Sequence, residues 1–160
     1  MFVVGEAPGA EEDIKGLPFI GQSGQLLREA LSNVGFEVDN IYITNLVMCR
    51  PPENRQPTQE EINSCSPWLE YKIDVLKPRM IIAAGRYSVA YFMGAKPEEV
   101  KITKLSGTSF EGRHKIKVFP LVHPSYVLRG GLTRQAYTMQ AAPAACYAKE
   151  LDLKGLNDNS

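Results

Sequence analysis

Cysteine, histidine and tryptophan are scarce in this chain of 160 residues, which holds three Cys, two His and one Trp. Three cysteines make no disulfide framework, and no leader-like segment stands ahead of the first apolar run, so a reduced, cytoplasmic protein is expected. Net charge is also lacking, because 18 Lys and Arg balance 18 Asp and Glu. That balance argues against a broad nonspecific nucleic-acid surface. It leaves room for a local basic cleft, since Arg50, Arg55, Arg113, Lys115, Lys117, Arg129 and Arg134 fall in or near expected loops. No apolar stretch approaches the roughly 20 residues of a membrane-spanning helix, so no membrane partner is expected. Internal repeats are absent, and so is the Lys-Ser/Thr signature of a phosphate loop.

What is present is a regular alternation. Four apolar runs, Met1–Val4, Ile41–Val47, Met80–Ala84 and Val118–Val122, lack polar alternation and read as parallel strands covered on both faces. Between the first two, Leu26, Leu27, Ala30, Leu31 and Val34 form one helical stripe, with Ser23 as the expected N-cap and Gly35 as the stop. Thr58 and Glu61 fit a capping box for a helix that ends before Pro78. Pro67 is expected to break that helix near Cys65, with Ser66 capping the second piece. A short helix follows over Arg86–Met93, and a terminal one over Ala136–Leu151 with a kink at Pro143. Thr103–Ser106, Gly107 and the run Thr108–Val118 read as a hairpin, with its turn at Gly107, feeding the last strand. The pattern predicts a three-layer α/β/α sandwich around a four-stranded, mostly parallel sheet. One domain over 1–155 and a disordered tail over 156–160 are expected.

Chemistry is expected where strands end. Gly5-Glu6-Ala7-Pro8-Gly9 follows the first strand, and its glycines let backbone approach a ligand. A carboxylate such as Glu6 is costly to bury without a partner or a task. Phe19, in Pro18-Phe19-Ile20-Gly21, either stacks on a planar ligand or folds onto the core. Asn45, near the end of the second strand, either reads an amide-like edge or satisfies loop backbone. His123 follows the fourth strand and is held extended by Pro124.

In order and at these spacings, Gly5–Gly9, Pro18–Gly21, Asn45 through Pro52 with Asn54 and Arg55, and His123-Pro124-Ser125 with Leu128-Arg129 resemble the uracil-DNA glycosylase superfamily. The chain is most similar to its family four, the iron–sulfur type. The resemblance covers nearly the whole chain and implies excision of uracil from DNA by hydrolysis of the N-glycosidic bond of a flipped nucleotide. By that likeness Glu6 and His123 are catalytic, while Gly5, Ala7, Phe19 and Asn45 bind the base. Ser125, Tyr126, Leu128 and Arg129 contact DNA, with Leu128 or Tyr126 filling the gap left by the flipped base. The partner implied is uracil-bearing DNA, bound by a monomer. The family also implies a 4Fe-4S cluster. Cys49 and Cys65 match two of its ligands, and Cys146 is a third only if the last helix packs close by. The expected Cys-x-x-Cys pair ahead of the first strand is not in this sequence, so the ligand set is incomplete, and buried apolar cysteines are the alternative. A noncatalytic DNA-binding or polymerase-accessory protein of the same fold is the rival reading.

Overall fold

A computed structural model describes residues 1–158, with side chains described through 152. In chain order the elements are β1 (Phe2–Gly5), α1 (Ala10–Lys15), α2 (Gln22–Asn33), β2 (Tyr42–Asn45), α3 (Gln59–Leu76), β3 (Met80–Ala84) and α4 (Arg86–Met93). There follow α5 (Ile102–Leu105), β4 (Phe110–Glu111), β5 (Lys117–Leu121), α6 (Pro124–Leu128) and α7 (Arg134–Asp158). The strands form one sheet in the order β2-β1-β3-β5-β4, parallel except for the β4–β5 pair. The count is therefore five rather than four. The additional strand, Phe110–Glu111, pairs with Val118 and Lys117 and is too short to show as an apolar run. The hairpin expected to turn at Gly107 instead turns at Arg113–Lys115, and most of its expected first arm lies in helix α5.

Alternate strand residues serve opposite faces, which gives the three layers. Val3, Ile82, Phe119 and Leu121 pack with Leu27 and Leu31 of α2 and with Tyr137 and Ala144 of α7. Phe2, Val4, Ile81 and Val118 pack with Leu69 and Ile73 of α3 and with Val89 and Phe92 of α4. The hydroxyl of Tyr137 is buried without a protein partner.

Helix ends follow local chemistry with some departures. Thr58 and Glu61 form the capping box, with Glu61 N–H to Thr58 Oγ1 at 3.2 Å and Thr58 N–H to Glu61 Oε1 at 3.0 Å. Pro67 does not break α3. Proline lacks the N–H that would bond the carbonyl of Asn63, and the Ser66 hydroxyl donates to that carbonyl instead, at 3.5 Å. At α2 the cap is Gly21, so Ser23 lies inside the helix. Likewise α7 begins at Arg134 and continues past Pro143 to Asp158. It thus runs through the start of the expected tail, and residues 159–160 lie outside the described residues. On the α3 face of β2, Lys72 of α3 donates to Thr44 Oγ1 at 3.2 Å and stands 5.8 Å from the Tyr42 ring centroid. No helix among the described residues is long and apolar enough to cross a membrane.

Candidate active site

The parallel register brings four strand ends to one edge. Gly5 is level with Asn45, Val4 with Ala83, and Ala84 with Leu121. The residues that follow are Glu6, Gly85 and Val122-His123, while Asn45 is itself the last residue of β2. Chain direction across the sheet reverses between β1 and β3, and at such a switch point open α/β sheets form their clefts. A cleft of about 320 Å³ opens there, with Glu6, Phe19, Asn45, His123, Ser125 and Arg129 in its wall.

Gly5 makes the floor possible. A Cβ on it would lie 2.3 Å from Phe19 Cζ and 2.6 Å from Asn45 Oδ1, so ring and amide both close over a residue without a side chain. Phe19 is buried, and its backbone is in the left-handed region at φ 52°. Such a conformation in an aromatic residue is strained and needs support. Arg28 supplies it, donating from Nε to the Phe19 carbonyl at 3.0 Å and from a terminal nitrogen to the Pro18 carbonyl at 3.2 Å. Gly24 lets α2 approach, since a Cβ there would meet the Phe19 carbonyl at 2.0 Å. Asn45 is 6% exposed, and among the described residues none is a hydrogen-bond partner of its side-chain amide. The amide is therefore free for a ligand.

Glu6 and His123 titrate far from their ordinary values. Burial raises the Glu6 carboxyl to about 7, against the opposing pull of the Tyr87 N–H, which donates to Oε2 at 3.3 Å, and of the Arg86 charge. Burial lowers His123 to about 4, and the Arg129 charge adds to the effect. The imidazole is therefore neutral at pH 7. Ser125 N–H donates to His123 Nδ1 at 3.2 Å, and the Ser125 hydroxyl lies 2.8 Å from the same nitrogen. Nδ1 is thus an acceptor, and the proton sits on Nε2 as the ring's one donor. The ring centroids of Phe19 and His123 are 6.3 Å apart. A planar group sandwiched between two rings needs about 7 Å, so the two rings stand as adjacent walls of the cleft rather than as facing plates.

The other expected positions divide. Ala7 lines the cleft beside Glu6. Tyr126 packs toward the core beneath Gly131, where a Cβ would meet its ring at 2.4 Å. Leu128 projects, 40% exposed. Of the basic residues, Arg55 and Arg129 reach the cleft, whereas Arg113 stacks over Tyr91 and Arg134 pairs with Glu29. The second histidine, His114, pairs with Glu70 at 2.5 Å on another face. Gly24, Arg28, Gly85 and Tyr87 were not anticipated as parts of the site. A glycine directly after the apolar run Met80–Ala84 was the available signal for Gly85.

The cysteines do not assemble a cluster site. Cys49 is exposed, and Cys65 packs against the α3 side of the sheet. Cys146 is carried by α7, whose core contacts are on the opposite face, so the conditional third ligand is ruled out by layer order. No group of three or more His, Cys, Asp or Glu side chains among the described residues is placed to hold a metal ion. A cluster takes four thiolates, and the described residues do not fit one.

Carboxylate, neutral imidazole and buried amide thus stand around one aromatic ring at the switch point of an α/β/α sandwich. A family model described as "Uracil DNA glycosylase superfamily" matches residues 1–144, and the chain belongs to that superfamily. It is 44% identical over 130 residues to a type-4 uracil-DNA glycosylase of Sulfurisphaera tokodaii, covering 78% of this chain and 59% of the relative. It is also 44% identical over 135 residues to a type-4 uracil-DNA glycosylase of Pyrobaculum aerophilum, covering 81% and 68%. A DNA polymerase of Bacillus phage SP01 is 33% identical over 130 residues, covering 81% of this chain and 14% of that protein. The chain thus spans roughly three-fifths to two-thirds of the length of the two glycosylases.

Proposed function

We propose that this protein excises uracil from DNA, as an intracellular monomer, by hydrolysing the N-glycosidic bond of a flipped nucleotide. The observation that carries the reading is the convergence of Glu6, Phe19, Asn45 and His123 on one cleft. Flipping a base costs a few kcal/mol, which stacking and edge recognition offset. Phe19 takes the face of the base. Asn45 donates its NH₂ to O4 and accepts from N3–H, a pattern that cytosine reverses. As the bond breaks, charge gathers on O2 of the leaving uracil. The Nε2–H of neutral His123 donates there, and one such donor contributes roughly 3–4 kcal/mol. Glu6, as carboxylate, orients the water that adds to the sugar cation and takes up its proton. Ser125 and Arg129 contact the DNA backbone. The exposure of Leu128 and the core packing of Tyr126 favour Leu128 over Tyr126 as the wedge.

The test is single-turnover release of uracil from an oligonucleotide, followed by cleavage at the abasic site. Glu6→Ala and His123→Ala are each expected to lower the rate at least about 100-fold. Wild-type rates in both variants would remove the mechanism. The likeness to a stretch of a phage DNA polymerase supports the second reading, a noncatalytic DNA-binding module. Tight, salt-dependent binding of uracil-bearing DNA with no release of base would establish that reading instead.

A further inference from the structure

Helix α2 reaches back to the loop that feeds it. Gly24 lets the helix come so near that a Cβ there would lie 2.0 Å from the carbonyl carbon of Phe19. Gln25 donates its side-chain amide to the Ile20 carbonyl at 3.5 Å. Arg28 donates to the carbonyls of Phe19 and Pro18 at 3.0 and 3.2 Å. Among the described residues no backbone N–H bonds either of those two oxygens, and Arg28 forms no ion pair. The half-buried guanidinium is thus committed to them. Successive carbonyls point opposite ways in an extended chain, and nearly the same way where the residue between them has helical dihedrals of either hand. A planar fork takes both oxygens in the second case and not in the first. Phe19, at φ 52°, is the residue between them.

We propose that Arg28 is a positioning residue for base capture: its fork locks the Phe19 backbone in the left-handed conformation and so holds the Phe19 ring over Gly5, as the wall on which the flipped base stacks. The inference rests on the excision reading and deepens it. Gly24 leaves room for the strained conformation but does not select it, whereas the Arg28 contacts fix the direction of both carbonyls. Without them Phe19 relaxes toward an ordinary φ, and the ring leaves the place that Gly5 makes for it. Stacking acts on the bound base before and during bond cleavage alike, so its loss weakens capture and spares the chemical step.

The test is single-turnover uracil release by the full chain at rising protein concentration, which separates the half-saturating concentration from the maximal rate. Arg28→Gln is expected to raise the half-saturating concentration about 10-fold, the order of one base–aromatic stacking contact, and to leave the maximal rate near wild type. Arg28→Lys, a point charge without the fork, is expected to give a smaller rise, and it carries the same test should Arg28→Gln not fold. In a Phe19→Ala background the Arg28 substitution is expected to add nothing, because it acts through that ring. Equal effects in the two backgrounds overturn the proposal, as does a loss confined to the maximal rate, which a misfolded fraction would give. NMR of ¹³C-labelled phenylalanine rings follows Phe19 directly, its signal assigned by its loss in Phe19→Ala. The signal should move in the Arg28 variant, and an unmoved one overturns the proposal. A chain that releases no uracil but shows that movement would remove the excision reading and leave the hold of Arg28 on Phe19 standing.

Discussion

On the proposed reading, discrimination between bases falls to a few atoms of Asn45. Its amide is buried beside Gly5, has no protein partner among the described residues, and offers one donor and one acceptor. Asn45→Asp removes the NH₂ that the proposed excision sets against O4 and leaves an acceptor pair suited to the amino group of cytosine. Uracil release should fall about 10- to 100-fold, as one lost contact of roughly 1–3 kcal/mol implies, and any gain should be toward cytosine. Matched uracil and cytosine oligonucleotides read both, and an undiminished uracil rate would take edge recognition away from Asn45. The residue types that the sequence singles out, Glu6, Phe19, Asn45 and His123, are those that line the cleft. What the sequence does not carry is their electrostatic state, because a carboxyl at about 7 and an imidazole at about 4 follow from burial and from neighbours distant in the chain.

At the scale of elements, the site depends on helices that approach too closely for side chains. Gly85 caps α4 at φ 105°, and Gly94 ends it at φ 72° with open space around it. Alanine at either position meets backbone strain of about 1–3 kcal/mol. Only at Gly85 would it also displace the Glu6 carboxylate. Both variants should lose thermal stability, while Gly85→Ala alone should lose about 100-fold or more in excision, since a misplacement near 1 Å costs that much. Equal activity in the two would mean that the α4 turn does not position Glu6. Strand ends and most helices were legible because apolar runs and the Thr58–Glu61 box act locally. The through-running Pro67 was not, because its rescue comes from the Ser66 hydroxyl, whose rotamer no sequence pattern specifies. Strand β4 was missed as a strand for a related reason, since two residues carry no periodicity.

For the whole molecule, the two perturbed groups pull stability in opposite directions. Glu6 holds its proton more tightly folded than unfolded, so its contribution falls as pH rises from 4.5 to about 7. His123 resists protonation when folded, so its contribution is lost as pH falls from 6.5 to about 4. Between about pH 4.5 and 6.5 these slopes oppose each other in the wild type. Glu6→Gln removes one of them. The stability of the variant relative to wild type should therefore grow by about 3 kcal/mol between pH 4.5 and 7, as measured by urea unfolding at stepped pH. A pH-independent difference would show that Glu6 is not held protonated by the fold. The layered architecture was readable from the alternation of strand and helix. The fate of Cys146 was not, because only layer order puts α7 and α3 on opposite faces.

The free edge of β2 bears on how copies of this chain meet. Strand β2 closes one side of the sheet, and its outer row of peptide groups has no neighbouring strand among the described residues. Such an edge is a template on which another chain can add a strand and seed aggregation. Here it is four residues long, too short to template a long pairing, and its Tyr42 and Thr44 side chains are engaged by Lys72 on the α3 face. The brevity of β2 thus limits how far a second copy of the chain could extend the sheet.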